Sequence, residues 1–290
     1  MALISLLGVG VALYPSTASW FSAIQEAEQV ARYGNDVKAI GPAARQEALE
    51  LADAYNRALQ SGAEVKANQR IPVDTGAQIP TGFDYNQLLA ANPYGLMGRI
   101  LIPSINVDLP INHGTSDATL LNSIGHLEGT SLPIGGLGTH AVLAGHRGLA
   151  SATLFNDLDK VALGEKIILD VFGETLTYKI VDIKIVDPEQ TKALDPVPGK
   201  DLVTLVTCTP IGINSQRILV TGERVVPTSV TDQTAAKAPP GSPSFPGWAI
   251  GMGAALLAAG TYVWWFGRPV KRRHRSPRGD VHPATSAASL

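Results

Sequence analysis

The sequence predicts a mainly β domain, an antiparallel barrel or sandwich, with a helical extension before it and an apolar segment near each end of the chain. Short runs rich in Val, Ile, Leu and Thr follow one another from Gly98 to Val226 without a regular alternation of strands and helices. Residues 22–61 are dominated by Ala, Glu, Gln and Arg, which favours helices. Gly247–Phe266 carries no charge and is as long as the roughly twenty residues that span a bilayer core.

The first segment, residues 1–21, is predicted to be a membrane anchor or signal-anchor. It is apolar, and the first charged residue of the chain is Glu26. We interpret it as an uncleaved anchor rather than a signal peptide, because it lacks a basic region in front and a clear small-residue cleavage site behind. The absence of basic residues also suggests that translation starts upstream of Met1.

Residues 22–96 are predicted to form a helical extension followed by an irregular, lid-like segment. Gly41 and Pro42 are expected to divide the helical part in two, because proline disrupts a helix interior. From Gly62 to Pro93 the periodicity disappears, which is typical of a long functional or mobile loop. We expect this segment to lie over a site.

The β-rich domain is predicted to occupy residues 97–227. Its candidate strands include Arg99–Ile102, Ala141–Leu143, Lys166–Val171, Thr175–Val181, Asp201–Thr207 and Arg217–Val225. Phe172 and Gly173 are predicted to turn a hairpin, and residues 116–124 to contain one short helix.

The rest of the chain is predicted to be a tether (228–246), a transmembrane helix (247–266) and a basic tail (267–290). The tether is rich in Pro, Ser, Thr and Ala, which favours an extended, poorly ordered chain. Tryptophans flank the apolar run and six cations follow it between residues 268 and 278, which fits an interfacial aromatic belt and the positive-inside rule. We therefore expect a cytoplasmic tail and a catalytic domain on the extracellular, cell-wall side of the membrane. A buried core helix and a nucleic-acid-binding patch are the weaker alternatives.

The residue composition excludes several kinds of site. The chain has one cysteine, which excludes an intramolecular disulfide and a cysteine-based metal cluster. Its six histidines show no metal-ligand spacing, and no nucleotide-binding glycine loop or haem motif is present. We therefore expect no metal, no cofactor and no nucleic-acid partner.

Cys208 is the candidate reactive residue, with Arg217 as its cation. The two lie at the end of one predicted strand and the start of the next, so that both side chains can point into one cleft. A thiol with a pKa near 8.5 is mostly protonated at neutral pH and needs a neighbouring cation or base. His146 follows an apolar strand and stands in a glycine-flanked loop, which makes it the candidate acid or base.

Each of these three residues also has an ordinary structural interpretation. A buried cysteine usually serves as a small apolar side chain, a strand arginine as an ion-pair partner, and a histidine in a glycine loop as a turn residue. His146 stands 62 residues before Cys208, so sequence spacing does not bring the two together.

Three separated motifs resemble the sortases of Gram-positive bacteria. They are Gly125–Pro133, Ala144–Gly148, and Thr204–Pro210 followed by Arg217. The resemblance runs from about Met97 to Val226. The helical extension and the second, C-terminal anchor resemble the pilus-specific class C enzymes of this family.

The resemblance implies an eight-stranded β-barrel and a cysteine transpeptidase that cleaves LPxTG-type sorting signals between Thr and Gly. Cys208 would be the nucleophile, His146 the acid that protonates the leaving amine, and Arg217 the cation that orients the substrate and stabilises the oxyanion. It further implies a reverse-protonated Cys–His pair and a thioester intermediate. The implied partners are pilin or surface-protein substrates, a Lys amine of the next pilin as acceptor, and the cell membrane.

Three other residues are weaker candidates for substrate binding. His126, in the first motif, is a candidate to line the cleft, with a structural role as the alternative. Thr207 and Thr209 flank the cysteine and are more in keeping with the wall of the cleft than with its chemistry.

The sequence departs from class C sortases at the lid, because no Asp-Pro-aromatic motif occurs in residues 62–93. Asp74, Phe83 and Asp84 are the candidate substitutes. If residues 62–93 form no lid, their deletion is expected to leave peptide cleavage unchanged.

Other functions stay open from the sequence. A hydrolase on the same fold would release its substrate to water, and a housekeeping-type sortase would attach proteins to peptidoglycan. A noncatalytic, membrane-tethered scaffold would keep Cys208 inert toward thiol reagents.

Overall fold

The structure is a computed structural model that describes residues 1–60 and 82–268. Its strands are β1 (Leu96–Ile102), β2 (Val107–His113), β3 (Ile124–His126), β4 (Thr139–Ala144), β5 (Lys166–Val171), β6 (Glu174–Val186), β7 (Asp201–Thr209) and β8 (Gln216–Val225). Its α-helices are α1 (Ala2–Ile40), α2 (Pro42–Gln60), α3 (Asp117–Leu120), α4 (Val230–Lys237) and α5 (Gly247–Phe266). The short helix predicted in residues 116–124 is α3, which Ser116 caps by accepting a hydrogen bond from the Thr119 amide.

The strands of the described chain close into a barrel in the order β1-β2-β3-β4-β7-β8-β6-β5. Antiparallel pairing of β5 with β1 closes it, so the domain is a barrel rather than a sandwich. The pairs β2–β3 and β4–β7 are parallel, and the remaining pairs are antiparallel as expected. The hairpin predicted at Phe172 and Gly173 joins β5 to β6.

Side chains of β4 and β7 alternate between two apolar clusters. The large cluster, which fills the barrel, takes Ala141, Leu143, Val203 and Leu205. The smaller cluster, on the outer face of the same strands, takes Val142, Ala144, Val206 and Cys208. This alternation is the two-residue period of a strand. Cys208 therefore faces away from the barrel interior.

Helices α1 and α2 are joined to the barrel by buried polar contacts. The Tyr33 hydroxyl donates to the Met97 carbonyl oxygen at 3.2 Å and accepts from the Phe172 amide at 2.6 Å. Asn56 donates to the Leu132 carbonyl oxygen at 3.1 Å and accepts from the Leu132 amide at 2.7 Å. The break between the two helices falls where proline is predicted to interrupt them.

The last part of the predicted lid-like segment is anchored in the core. Tyr85, Leu88 and Leu89 are each at most 2% exposed. Their removal would leave a large cavity, so deletion of residues 62–93 would damage the fold and cannot test for a lid. Apart from the short 3-10 helix Tyr85–Gln87, residues 82–93 have no regular secondary structure, but their buried side chains fix this part to the barrel.

The candidate substitutes for a lid plug have other contacts where the structure describes them. Phe83 packs edge-on against Tyr55, with 5.7 Å between the ring centroids. The Asp84 carboxylate accepts a hydrogen bond from the Asn86 amide and caps a short 3-10 helix. Asp74 lies outside the described residues.

The predicted tether over residues 228–246 begins with an ordered helix, which corrects the expectation of an extended chain. Helix α4 packs on β5 and β6. There the buried Asp232 accepts hydrogen bonds from Lys166 at 3.0 Å and from Thr177 at 3.1 Å. Composition alone does not reveal this helix, because its partners lie on strands distant in sequence.

Arg99 of β1 holds the chain beyond α4. Its guanidinium donates to the carbonyl oxygens of Ala236 and Ala238 at 2.8 and 2.7 Å, and makes two bonds to the Asp108 carboxylate at 2.7 and 2.8 Å. Arg99 is 5% exposed. The C-terminal segment is therefore fixed to the barrel as far as Ala238.

Helices α1 and α5 are each long and apolar enough to cross a membrane. This agrees in length and composition with the two predicted anchors. The chain divides into two compact units, of which the larger is Leu13–Trp248. Within that larger unit, Trp20 and Trp248 pack edge-on and the Trp20 indole donates to the Ser244 carbonyl oxygen at 2.8 Å.

Asp232→Asn tests how firmly α4 is docked. Burial raises the pKa of Asp232, but hydrogen bonds from Lys166, Ser229 and Thr177 outweigh burial and hold the pKa below its usual value. This contribution to stability is therefore present above the unfolded-state pKa and is lost as the pH falls through the folded-state pKa. We expect Asp232→Asn to lower the free energy of unfolding at pH 7 by about 1–3 kcal/mol.

Urea unfolding of the detergent-solubilised chain between pH 3 and pH 8 measures this effect. The difference from the unsubstituted chain should shrink toward acid pH, and the exposed Glu189→Gln serves as the charge-matched control. A difference that persists unchanged at pH 3 would contradict the assignment.

Candidate active site

The strands β7 and β8 place Cys208 directly beside Arg217. The two residues are cross-strand partners at the last part of the antiparallel ladder. Directly paired residues point to the same face of a sheet, with Cβ atoms about 4.5–5.5 Å apart. The arginine that the sequence offers as the cation of the thiol therefore lies next to it.

The parallel pair of β4 and β7 brings His146 to the other side of Cys208. Every residue pair in this ladder, from Thr139↔Asp201 to Ala144↔Val206, has a separation of 62 residues. The Gly145 amide extends the ladder by donating to the Val206 carbonyl oxygen at 3.1 Å. When the same register is continued by two residues, His146 lies opposite Cys208. The number of residues between the two in the sequence could not reveal this.

Hydrogen bonds on both sides of this pair fix the register. Before it, the Thr207 hydroxyl donates to the Gly145 carbonyl oxygen at 2.7 Å. After it, the Arg147 guanidinium donates to the Thr209 hydroxyl at 3.2 Å. Thr207 and Thr209 thus tie the histidine loop to the cysteine strand.

The glycines that flank the histidine loop are required by close packing. A Cβ at Gly145 would lie 2.7 Å from atoms of both Ile124 and Phe155. Gly148 has a φ of +81°, and a Cβ there would lie 2.5 Å from a methyl carbon of Ile211. The loop therefore depends on glycine at both positions to carry His146 next to β7.

Burial and charge act against each other at Cys208. The residue is 5% exposed, and burial raises the pKa of its thiol above the ordinary value, while the Arg217 guanidinium lowers it. Arg217 is itself 4% exposed, and one of its nitrogens donates to the carbonyl oxygens of Asn214 and Gln216, each at 2.9 Å. The other donors of the guanidinium remain available for a substrate oxygen.

His146 is half-buried, and burial lowers the pKa of its imidazole below the ordinary value of 6.5, while the negative charge of Asp117 raises it. Together with the raised pKa of Cys208, this favours a neutral thiol and a neutral imidazole near pH 7. The thiolate–imidazolium pair is then a minority species, as the resemblance to sortases implies.

Apolar side chains surround the thiol on the outer face of the barrel. Leu120 of α3 and Leu127 belong to the same cluster as Cys208, and Val186 and Leu194 pack against it from the β6–β7 side. An extended peptide with apolar residues fits a surface of this kind.

His126 has a structural role, which corrects its assignment as a substrate-binding residue. It is 0% exposed, and its ring contacts the Tyr85 hydroxyl at 2.9 Å and the Ser131 carbonyl oxygen at 2.9 Å. Burial lowers its pKa to about 4. Thr207 is likewise 0% exposed, and its hydroxyl donates to the Gly145 carbonyl oxygen. It therefore does not line a cleft.

Two residues near the site were not singled out from the sequence. Arg147 lies within the second motif, but its contacts with Thr209 and Asp159 depend on the fold. Asp117 stands at the start of α3, far from His146 in sequence, and no motif marks it. Among residues 1–60 and 82–268, no group of three His, Cys, Asp or Glu side chains could hold a metal ion.

Comparison with known proteins identifies the family. A family model for the sortase domain matches residues 100–225. The solved structure of sortase C-1 from Actinomyces oris is 44% identical, and the match covers 63% of this chain and 99% of that one with a TM-score of 0.58. The chain belongs to the sortase family.

Other relatives place this sortase among the class C enzymes by structure. Sortase C1 from Streptococcus agalactiae is 41% identical, with 68% of this chain and 97% of that one covered and a TM-score of 0.62. Sortase A from Bacillus anthracis is 31% identical over 130 residues, which are 45% of this chain. This sortase thus spans 60% of that relative's length.

Arg217→Gln tests the electrostatic role of Arg217. Without the guanidinium the pKa of Cys208 should rise further, because a neighbouring positive charge favours the thiolate. The inflection in the rate of iodoacetamide alkylation should therefore move to higher pH, and Arg217→Lys should move it less. Since this sortase has one cysteine, mass spectrometry reports the reaction without interference.

Arg224→Gln is the matched control for this experiment, because Arg224 lies near the other end of β8. An alkylation profile that is the same in Arg217→Gln as in the unsubstituted chain would show that the guanidinium does not act on the thiol.

Proposed function

We propose that this chain is a membrane-anchored, class C sortase: a cysteine transpeptidase that cleaves LPxTG-type sorting signals between Thr and Gly and joins pilin subunits through Lys isopeptide bonds. The observation that supports the proposal is the pairing of Cys208 with Arg217, together with the β4–β7 register, which sets His146 opposite Cys208 when it is continued by two residues. The class C structural relatives support the same activity.

In the first half-reaction the Cys208 thiolate attacks the carbonyl carbon of the signal's threonine. Arg217 offers N–H donors to the oxyanion that develops, which is the kind of interaction that stabilises a tetrahedral intermediate. The C–N bond then breaks, and the leaving glycine amine takes a proton from the His146 imidazolium. The product is a thioester between Cys208 and the threonine carbonyl.

In the second half-reaction a lysine side-chain amine attacks the thioester carbonyl. His146, now neutral, accepts the proton that the amine loses. The C–S bond breaks, the thiolate of Cys208 returns, and an isopeptide bond joins the two proteins. His146 thus acts as acid in the first step and as base in the second, as microscopic reversibility requires.

The apolar surroundings of Cys208 suit the donor peptide. The part-exposed Val186 and Leu194 offer apolar surface to the leucine and proline that begin an LPxTG signal, and the buried Leu120 and Leu127 lie in the same cluster. The preference for an amine over water as acceptor belongs to the same proposal, and the class C relatives support it over the hydrolase.

We further propose that α1 and α5 both span the membrane, with the barrel on the cell-wall side and residues 267–290 in the cytoplasm. Both helices have the length and hydropathy of a span. A sortase in this position would meet precursors that are themselves held at the membrane.

Attachment of surface proteins to peptidoglycan is the second candidate function. The identity with Sortase A from Bacillus anthracis supports it. The sortase C structures from Actinomyces oris and Streptococcus agalactiae, at 44% and 41% identity against 31% for that relative, support the pilin function.

The first experiment incubates the full chain with an LPxTG peptide and a lysine-bearing acceptor peptide, beside Cys208→Ala, followed by mass spectrometry. We expect a thioester adduct and an isopeptide product, both lost in Cys208→Ala. Cleavage without joining would favour the hydrolase. Joining to a peptidoglycan-type amine in preference to lysine would favour the housekeeping function, and no cleavage in any chain variant would contradict the transpeptidase.

A shorter deletion replaces the test of a lid, because residues from Tyr85 onward belong to the core. Residues 62–81 are replaced by a short Gly-Ser linker, and peptide cleavage is compared with that of the intact chain. Since the usual lid motif is absent, we expect the cleavage rate to stay the same. A marked rise in rate would mean that this segment occludes the site.

A further inference from the structure

We infer that Arg147 is a positioning residue: it lies on the side of β7 away from the thiol and holds His146 opposite Cys208. This inference rests on the catalytic roles proposed above for His146 and Cys208. Arg147 lies in the loop that carries His146, and its position in the sequence alone does not show this function.

The alternation of side chains puts Arg147 on the face opposite to the chemistry. Cys208 faces outward, so its neighbours on β7, Thr207 and Thr209, face the other way. Arg147 reaches Thr209, so it lies on that same inner side. Arg147 therefore lies on the side away from the one that Cys208 faces, and we expect it to act on the reaction through the relative positions of His146 and Cys208.

Three groups are held by the one guanidinium. Its Nε donates to the Asn156 carbonyl oxygen at 3.0 Å, one terminal nitrogen donates to the Thr209 hydroxyl at 3.2 Å, and the other forms an ion pair with Asp159. The Arg147 side chain is only 10% exposed. This bridge joins Thr209, at the end of β7, to Asn156 and Asp159.

The histidine loop needs a brace of this kind, because residues 145–157 contain no regular secondary structure. Leu154 and Phe155 anchor the middle of this stretch in the core. Near His146, the Phe155 amide donates to the His146 carbonyl oxygen at 3.1 Å, and the Gly148 amide donates to the Asn156 side chain at 2.6 Å. Arg147 ties Asn156 and Asp159 to Thr209 of β7. Without Arg147, that tie between β7 and the residues around His146 is lost.

Lysine should replace Arg147 poorly. A guanidinium presents donors in a rigid, planar fork that can bind three acceptors at once, whereas an ammonium is a compact point charge on a flexible stem. The brace thus depends on the shape of the arginine as well as on its charge.

The test compares four variants of the full chain in detergent: Arg147→Gln, Thr209→Val, Thr209→Ser and Arg224→Gln. Thr209→Val removes the acceptor of the brace alone, and Thr209→Ser restores it. Arg224→Gln is the matched control, since that arginine also bonds a backbone carbonyl and a threonine hydroxyl, but near the opposite end of the sheet. Six residue positions separate the Cys208↔Arg217 pair from Leu202↔Glu223, which is about 20 Å along the strand.

We expect Arg147→Gln and Thr209→Val to lower kcat for LPxTG peptide cleavage by about 10- to 100-fold, because a small displacement of a catalytic group has effects of this size. The KM of the peptide should stay nearly the same, since neither residue contacts it. Thr209→Ser should recover most of the activity. Arg224→Gln should lower the melting temperature without this loss of kcat.

A second readout follows Cys208 directly. In the unsubstituted chain, the charge on His146 should add a low-pH inflection to the rate of Cys208 alkylation. His146→Ala should abolish that inflection, and Arg147→Gln and Thr209→Val should do the same if the ring has moved away.

An unchanged kcat in Arg147→Gln, a loss no greater than in Arg224→Gln, or a rise in KM alone would overturn the inference. If the unsubstituted chain forms no thioester with the peptide, the proposed function fails instead. The alkylation profiles then still decide whether Arg147 holds His146 beside Cys208, because they need no substrate.

Discussion

The parallel pairing of β4 with β7 is the contact on which the active site depends. Strand β7 lies between β4 and β8, so a single strand fixes both neighbours of Cys208. A shift of one residue in the β4–β7 register would place His146 opposite a threonine that faces inward. Such a shift would also turn the side chains of Val142 and Ala144 into the barrel and that of Leu143 out of it. The apolar pattern of β4 therefore disfavours the shifted register. The alternation that builds the core therefore also sets the catalytic spacing.

Because Cys208 lies within an apolar cluster, its neutral thiol is favoured over the thiolate. Burial raises the pKa of Cys208 and lowers that of His146, so the resting pair is neutral. A neutral thiol reacts slowly with oxidants and stray electrophiles. Arg217 opposes this tendency, because its positive charge favours the thiolate. Burial and the neighbouring guanidinium thus act in opposite directions on the same thiol.

The sequence predicts many of the helices and strands of this sortase, but fewer of the contacts between them. The β7–β8 hairpin with Cys208 and Arg217, the turn at Phe172, and the two apolar helices follow from local patterns. The placement of His146 opposite Cys208 does not, because it depends on which strands lie side by side in the closed barrel. The burial of His126 and the docking of α4 were missed for the same reason: their partners are distant in sequence. Composition suggested a loose tether, although buried Asp232 anchors its first half.

This anchoring limits how far the barrel can move from the start of α5. Arg99 fixes the chain as far as Ala238, and the Trp20 indole binds Ser244, which leaves residues 239–243 between the two points. The six steps from Ala238 to Ser244 reach no more than about 22 Å when the chain is fully extended. A flexible tether of nineteen residues would instead let the domain search a wide volume, and the local concentration of any one substrate would be lower.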